Sequence, residues 1–444
     1  MKLKFSTAIR TGVLALAVPA SCLAATSPVL TLTGTRELDG PPSSVELTYT
    51  LEDAPGIVLF DVLTNGVSIG GANIQRVSGD VNRLVQPGAG HLVRWFPAHD
   101  WPGHQTGAGE VTYRLTALPK DRPPLYMVVD LCARSNVTYY ADADFLPFGG
   151  ISSDVYKADR LALKRMDARG IAWQMGTATN SPANPNNPND RLFQFPREKK
   201  HDVTLTNNYY IGVFEVTQQQ WWNMVGNWPS LFCEERTCRP VENVSFNNIR
   251  GSGCYWPADP HVNSFLGKAR AFTGLALDLP SESQWEYAAR AGHYGNRTVN
   301  GLVQLADVYN GYARYGGNSG LWGAPKIKII EGDKTNEVEN AEGIGVDRGT
   351  AVVGSYKPND WGLYDTIGNV WEWVLDPAKT DLSGNAHGEI PDISEADLGG
   401  VIVRGGCYYT GSREVRPAFR GTSAANNTSN GSRGFRVALT LPNE

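Results

Sequence analysis

The stretch VGSYKPNDWGLYDTIGNVWEWVLD at 353–376 sets the character of the C-terminal half of the chain. Gly, Pro, Asn and Asp recur through it, and these residue types favour turns and loops. Trp371 and Trp373 alternate around Glu372, so we expect both indoles to lie in a hydrophobic core. The same composition begins at about residue 160 and predicts a domain of long loops with few regular elements.

Two short helices stand out against these loops because their first residues match a capping pattern. Thr217 with Gln220 opens TQQQWWNMVG, and Ser281 with Gln284 opens SESQWEYAARAG. In this pattern the hydroxyl accepts the third backbone N–H, and the Gln side chain reaches back to the capping residue. Both segments also carry apolar residues at helical spacing, which predicts helices that pack against a core.

The N-terminal part of the chain has a different pattern. Short β-rich runs separated by Gly, Pro and Asn turns extend to about residue 120, as in VELTYTLE, GIVLFDVLT and VTYRLTAL. This spacing predicts a small all-β, sandwich-like domain at 26–120. A linker or connecting segment is expected at 121–159, followed by a C-terminal domain at 160–444.

Residues 1–25 are predicted to be a secretory signal peptide, with a basic start, a short apolar run and small residues near the cleavage site. Cys22 leaves a lipoprotein as the alternative. We expect a secreted, periplasmic or cell-envelope protein without a transmembrane helix.

The 444 residues of the chain include 40 Lys and Arg against 45 Asp and Glu. A net charge of −5 gives no excess of cations for phosphate groups, which argues against a nucleic-acid binder.

The predicted export allows the six cysteines to form disulfides, because the compartments outside the cytoplasm are oxidising. Cys233 and Cys238 flank the polar loop EERT, which predicts a small disulfide-closed loop. Removal of the signal peptide leaves an odd number, so at least one thiol is free or pairs between molecules.

Five segments of the C-terminal half resemble, in order, the blocks of the formylglycine-generating enzyme, or sulfatase-modifying factor, family. They begin with HDVTLTNNYYIGVFEVTQQQWWNMVGN at 201–227 and RPVENVSFNNIRG at 239–251, and LDLPSESQWEYAARAG follows at 277–292. The opening stretch at 353–376 is the fourth block, and RGGCYYTGSREVRPAFRG…SRGFRVAL at 404–439 is the fifth. The resemblance implies an α+β, C-type-lectin-like fold.

The founding activity of that family oxidises a sulfatase cysteine to formylglycine with copper and oxygen, using two active-site cysteines. The matching positions after Arg404–Cys407 hold Thr410 and Val415. Copper(I) prefers soft thiolate ligands, so copper is not expected here and a pseudoenzyme is favoured. Cys407 is the remaining weak catalytic candidate, and the alternative is a small polarisable residue without a redox role.

The resemblance also implies a calcium site. Its ligands would be the side chains of Asp365 and Glu372 and the carbonyls of Gly368 and Val370, and oxygen donors on a loop suit calcium. The alternative is that Glu372 accepts backbone N–H groups and organises the loop without a metal ion.

The segment 407–433 is rich in Tyr, Ser, Thr, Gly, Asn and Arg, a composition typical of binding surfaces. It resembles the variable segment of C-type-lectin-like proteins that are diversified by retroelements. An ordinary surface loop is the alternative, with Arg416 and Arg420 held by acidic residues such as Glu414. The predicted ligand-binding residues are Tyr408, Tyr409, Thr410, Ser412, Arg413, Arg416 and Arg420.

Three functions follow from the sequence. The favoured one is a non-catalytic, C-type-lectin-like protein that binds an unidentified extracellular or envelope ligand, protein or glycan. The second is an oxidoreductase of the resembled family that acts on protein cysteine with altered active-site chemistry. The third is a structural envelope protein.

Overall fold

The computed structural model describes residues 27–40, 42–104, 111–177, 182–184, 187–191, 198, 200–233, 235–293, 298–299, 302–303, 310–319, 327–331, 334–338, 349–377, 400–412, 414–423, 427 and 429–442. The predicted signal peptide at 1–25 lies outside the described residues. Within the described residues, every helix is too short or too polar to cross a membrane.

The N-terminal module consists of two antiparallel sheets. One has the order β1-β2-β7-β5, and in the other β3 pairs with β4, β6 and β8. Alternate residues of β2 point inward, including Leu47 and Tyr49, as the sequence alternation requires. The elements are β1 (Val29–Leu38), β2 (Ser44–Glu52), β3 (Gly56–Thr64), β4 (Val67–Ser68), β5 (Val77–Gly79), β6 (Arg83–Val85), β7 (Gly88–Trp95), α1 (Pro97–Asp100) and β8 (Val111–Leu118).

The segment expected to be a linker at 121–159 instead supplies two strands of the central sheet. This antiparallel sheet has the order β10-β9-β11-β16-β25. All five residues of β9 are buried, and this burial explains why the segment joins the C-terminal domain. The elements are β9 (Tyr126–Asp130), β10 (Val137–Tyr140), α2 (Val155–Ala158), β11 (Arg160–Met166), β16 (Tyr209–Gly212) and β25 (Ala438–Thr440).

The remaining strands form a second sheet and several two-stranded ribbons. The sheet has the order β23-β22-β21-β24 and holds the residues of the candidate site, whereas the ribbons pair neighbouring strands. The strands are β12 (Ala172–Met175), β13 (Pro182–Asn184), β14 (Asn187–Arg191), β15 (His201–Thr204), β17 (Thr298–Val299), β18 (Leu302–Val303), β19 (Ile327–Glu331), β20 (Lys334–Val338), β21 (Trp371–Pro377), β22 (Val401–Arg404), β23 (Arg420–Ser423) and β24 (Arg433–Gly434).

Four helices pack against these sheets: α3 (Gln218–Val225), α4 (Phe246–Arg250), α5 (Phe265–Thr273) and α6 (Glu282–Arg290). The capping boxes predicted at Thr217 and Ser281 are confirmed. The core position predicted for Trp371 and Trp373 is also confirmed, with 7% and 0% of each residue exposed. The α+β class expected from the sequence is therefore confirmed, with strands predominating over helices.

Candidate functional site

The Gly405–Gly406 turn at the end of β22 organises the candidate site. Both glycines have a left-handed backbone, with φ values of 92° and 79°. A Cβ atom on Gly406 would lie 2.9 Å from Val415 Cγ2 and 3.0 Å from Thr410 Oγ1. Only glycine fits this position, and the side chains of Thr410 and Val415 converge on it. The positions at which the resembled family carries its two thiols are therefore adjacent in space.

Neither converging side chain is free to bind a soft metal ion. Thr410 is 4% exposed, and its hydroxyl donates to the Cys407 carbonyl and accepts from the Cys407 N–H, both at 2.9 Å. Val415 is 0% exposed and packs in an apolar cluster with Ala313, Tyr315 and Ile367. The hydroxyl serves the local turn, and the isopropyl group fills the space beside it.

Cys407 is fully buried beneath the same turn. Burial raises the pKa of its thiol to about 12, and hydrogen bonds from the backbone of Tyr409 and Thr410 offset only part of that rise. The thiolate is the reactive and metal-binding form of cysteine. The thiol is therefore protonated at neutral pH, which does not suit a nucleophile or a copper ligand.

The predicted ligand-binding residues separate into surface and core positions. Tyr409 is 45% exposed and Ser412 is half-buried, whereas Arg413 lies outside the described residues. Tyr408 and Thr410 are buried, with 8% and 4% of each residue exposed. A set of seven surface contacts is therefore not present, because part of it faces the protein interior.

Two arginines of that predicted set form buried ion pairs with distant acids. Arg416 contacts Glu198, with Nη2 donating to Oε1 at 2.9 Å. Arg420 makes a two-point contact with Glu282, at 2.6 and 2.9 Å. Both arginines hold the C-terminal segment to the core. The expected partner Glu414 is the closest in sequence, but the hydrogen bonds go to carboxylates more than a hundred residues away.

The exposed part of the site is a small surface, here called the Tyr409 face, formed by the exposed Tyr409 with the half-buried Leu231 and Asn430. The buried Ser432 contacts both Tyr409 and Asn430. The Tyr409 hydroxyl lies 3.3 Å from Ser432 Oγ, which donates to Asn430 Oδ1 at 2.7 Å. The rings of Tyr408 and Tyr409 pack edge to face, with their centroids 5.2 Å apart. The buried Tyr408 thereby supports the exposed Tyr409 from beneath.

A buried acid, Glu242, anchors the loop beside this face. Its Oε1 accepts the N–H groups of Leu231 at 2.6 Å and Phe232 at 3.0 Å. Its Oε2 is buried without a hydrogen-bond partner among the described residues. Burial raises the pKa of Glu242 to about 8, so the side chain is largely protonated at neutral pH. Glu242 was not predicted from the sequence, although an acid between Val241 and Val244 is a visible signal.

Two of the four expected calcium ligands, Glu372 and Asp365, lie near the buried guanidinium of Arg436. The Nε and Nη2 atoms of Arg436 each donate to a carboxylate oxygen of Glu372 at 2.6 Å. Trp285 Nε1 donates to the same carboxylate at 2.7 Å. Asp365 accepts the Gly354 N–H at 2.7 Å. Arg436 thus supplies the positive charge beside Glu372.

The nearby Glu215 was also missed, and it engages the backbone between the expected ligands. Its Oε1 accepts the N–H of Val370 at 3.2 Å, and its Oε2 accepts from Asn369 at 2.6 Å. Burial raises the pKa of both Glu215 and Asp365, that of Asp365 to about 6. In the described part of the chain no group of three or more His, Cys, Asp or Glu residues is arranged to hold a metal ion.

Gly368 has a φ of 82°, and a Cβ there would lie 2.3 Å from the Arg314 carbonyl oxygen. Its carbonyl and that of Val370 therefore belong to a turn that the fold itself fixes. Calcium at this turn stays a prediction, which chelation of the purified protein tests through its melting temperature.

The predicted disulfide is not formed in the structure, where Cys233 and Cys238 are both free thiols. Cys238 is buried, whereas Cys233 is exposed and lies 3.4 Å from the Ser230 carbonyl oxygen. The two side chains occupy different environments, so a bond between them requires the loop to rearrange.

The C-terminal part of the chain matches a known protein family. Residues 171–441 match the sulfatase-modifying factor enzyme 1-like domain. A formylglycine-generating enzyme of Streptomyces coelicolor is 33% identical over 189 residues, covering 41% of this chain and 53% of that protein. The inactive Cα-formylglycine-generating enzyme 2 of Mus musculus is 28% identical, covering 43% and 56%. Chaperone protein LppX of Paenibacillus barcinonensis is 26% identical, covering 44% and 74%.

Solved structures with a similar chain include Treponema denticola variable protein 1, with 21% identity and a TM-score of 0.44 over 64% of this chain and 96% of that one. PvdO from Pseudomonas aeruginosa has 21% identity and a TM-score of 0.46 over 63% and 95%. This chain spans about half the length of the Streptomyces enzyme that it matches. Since the matching domain occupies more than half of the chain, the protein belongs to the sulfatase-modifying factor enzyme 1-like family.

Proposed function

We propose that this protein is a non-catalytic member of its family that binds a protein ligand through the Tyr409 face. One observation carries the proposal: Thr410 and Val415 occupy the two converging positions beside Gly406. The Thr410 hydroxyl is hydrogen-bonded to the Cys407 backbone, and Val415 is buried in an apolar cluster. A copper oxidase needs soft ligands at those positions. Without them the turn is a packed structural element.

The surroundings of the turn support the same proposal. Cys407 is the nearest thiol in sequence, and burial holds its pKa at about 12. One protonated thiol does not replace a pair of thiolates, because copper(I) is held by the deprotonated form. One relative, in mouse, is named as inactive, and another, in Paenibacillus, is named as a chaperone, which supports a role other than oxidation.

The Tyr409 face has the chemistry of a protein-binding surface. An exposed tyrosine ring gives rigid contact area, and the half-buried Asn430 offers a side-chain amide for hydrogen bonds to a partner. The ring centroids of the buried Tyr408 and the partly buried Phe232 lie 5.1 Å apart, and this contact keeps the base of the face rigid. A rigid base lowers the entropy lost on binding. Export by the segment 1–25 would place this face outside the cytoplasm.

Copper(I) titration tests the non-catalytic part of the proposal. The natural protein should fail to compete with a copper(I) chelator, whereas the double variant Thr410→Cys, Val415→Cys should bind one equivalent. Thr410→Ser, Val415→Ala is the matched control, since it makes similar size changes without adding thiols. Stoichiometric copper in the natural protein would overturn the proposal.

A further inference from the structure

A cavity of about 510 Å³ lies apart from the Tyr409 face, between β25, the start of α6 and the loop that carries Trp256. None of its lining residues belongs to the Tyr409 face. Its volume falls within the range of about 300–1,000 Å³ that is usual for small-molecule sites. We propose that this cavity binds an uncharged saccharide, and the inference does not rest on the function proposed for the Tyr409 face.

The cavity combines an exposed aromatic ring with an apolar floor. Trp256 lines it and is 37% exposed, so its indole is accessible to a ligand. Leu279 and Leu375, which are 1% and 4% exposed, line the same space. A pyranose ring has an apolar face of C–H groups, and the amphipathic indole suits contact with such a face.

Neutral hydrogen-bonding groups line another part of the cavity. Gln284 Nε2 donates to Thr440 Oγ1 at 3.0 Å, and Thr206 Oγ1 donates to Asn207 Oδ1 at 2.7 Å. A hydroxyl that accepts one hydrogen bond still has a proton to donate, and an amide oxygen that accepts one has a second lone pair. Thr440 and Asn207 can therefore serve the hydroxyl groups of a bound sugar without breaking these contacts.

The charged groups at the cavity balance one another. Arg270 contacts Asp259 at 2.7 Å and Asp278 at 2.8 Å, and Arg250 contacts Asp278 at 2.8 Å. Asp259, Asp278 and Arg270 line the cavity, and the buried Arg250 pairs with Asp278 from outside it, so the four charges sum to zero and leave no net charge to attract an ion. Asp259 is 90% exposed at the rim, where its carboxylate can accept hydrogen bonds from sugar hydroxyls. This balance favours a neutral polyhydroxylated ligand over a phosphate, an amino acid or a peptide terminus.

Ligand-observed NMR and tryptophan fluorescence of the full chain test the inference. The probes are the methyl glycosides of glucose, galactose, mannose and N-acetylglucosamine, with inorganic phosphate and diglycine as charged competitors. At roughly 10 mM, which is tenfold above a millimolar Kd, at least one glycoside should bind and change the fluorescence. Trp256→Ala should weaken that binding by about tenfold or more, as is common for the loss of an aromatic anchor.

Trp228→Ala is the matched control, because Trp228 is also 37% exposed but does not line the cavity. It should leave glycoside binding unchanged. Thr440→Val provides a second variant and should also weaken binding, while both cavity variants keep the melting temperature of the natural protein. Absence of binding for all four glycosides would overturn the inference, as would full affinity in Trp256→Ala or tighter binding of phosphate or diglycine.

Discussion

Replacement of Glu242 by glutamine should stabilise the protein at alkaline pH and leave it unchanged at acidic pH. The side chain is buried, and its Oε1 accepts the N–H groups of Leu231 and Phe232. Glutamine keeps an oxygen for those two donors and removes the charge. The change therefore isolates the free energy of ionising a buried carboxyl group.

The magnitude follows from the pKa of Glu242, which burial raises from 4.5 to about 8. Between these values the unfolded chain releases the proton while the folded chain keeps it, so the free energy of unfolding falls as pH rises. Each pKa unit corresponds to about 1.4 kcal/mol, so the loss at pH 8 is roughly 4–5 kcal/mol. The glutamine variant lacks this loss.

Thermal melts of both proteins from pH 4.5 to pH 9 measure the effect. A free-energy difference of this size raises the melting temperature of a 444-residue chain by roughly 5 °C at pH 8 and above, because the entropy of unfolding is about 2.1 cal/mol/K per residue. Glu242→Ala is the control, and it should lower stability at every pH because two buried N–H groups lose their acceptor. A gap between natural protein and glutamine variant that is constant across pH would refute the reasoning, as would a variant that is less stable at pH 8.

Tyr409→Ala should keep the natural melting temperature, since this side chain is exposed, whereas Tyr408→Ala should cost about 3–5 kcal/mol of stability because it empties a buried site. Equal melting temperatures for the two variants would contradict their assignment to surface and core. Cys132 should react with a thiol reagent in the folded protein, while the buried Cys407 should react only after denaturation; rapid labelling of Cys407 without denaturant would oppose this. Arg436→Met should cost about 3–5 kcal/mol, because it leaves a buried carboxylate unpaired, and unchanged stability would indicate that another cation balances the acid.

Sequence reasoning succeeded where the signal is local. The capping boxes at Thr217 and Ser281 depend on residues three positions apart, so their pattern is visible in the sequence. The alternating apolar residues of β2 are equally local, and they predict its buried face. The α+β class was predicted from the family blocks, because five segments in the family's own order identify the family and therefore its fold.

The same reasoning failed where a residue's environment depends on distant partners. Arg416 and Arg420 look like surface residues of a polar loop, but Glu198 and Glu282 hold them inside the protein. The charge of Glu372 is balanced by Arg436, sixty-four residues away. Such pairings cannot be predicted from neighbouring residues, because folding alone brings the two partners together.

The most direct test of the account is aldehyde formation on a peptide that carries the sulfatase cysteine motif. The natural protein would be incubated with the peptide, copper(I) and oxygen, and the product captured with a hydrazine and identified by mass spectrometry. Because Thr410 and Val415 replace the thiol pair and Cys407 is buried, no aldehyde should form above the protein-free control. Catalytic formation of formylglycine by the natural protein would contradict the central claim.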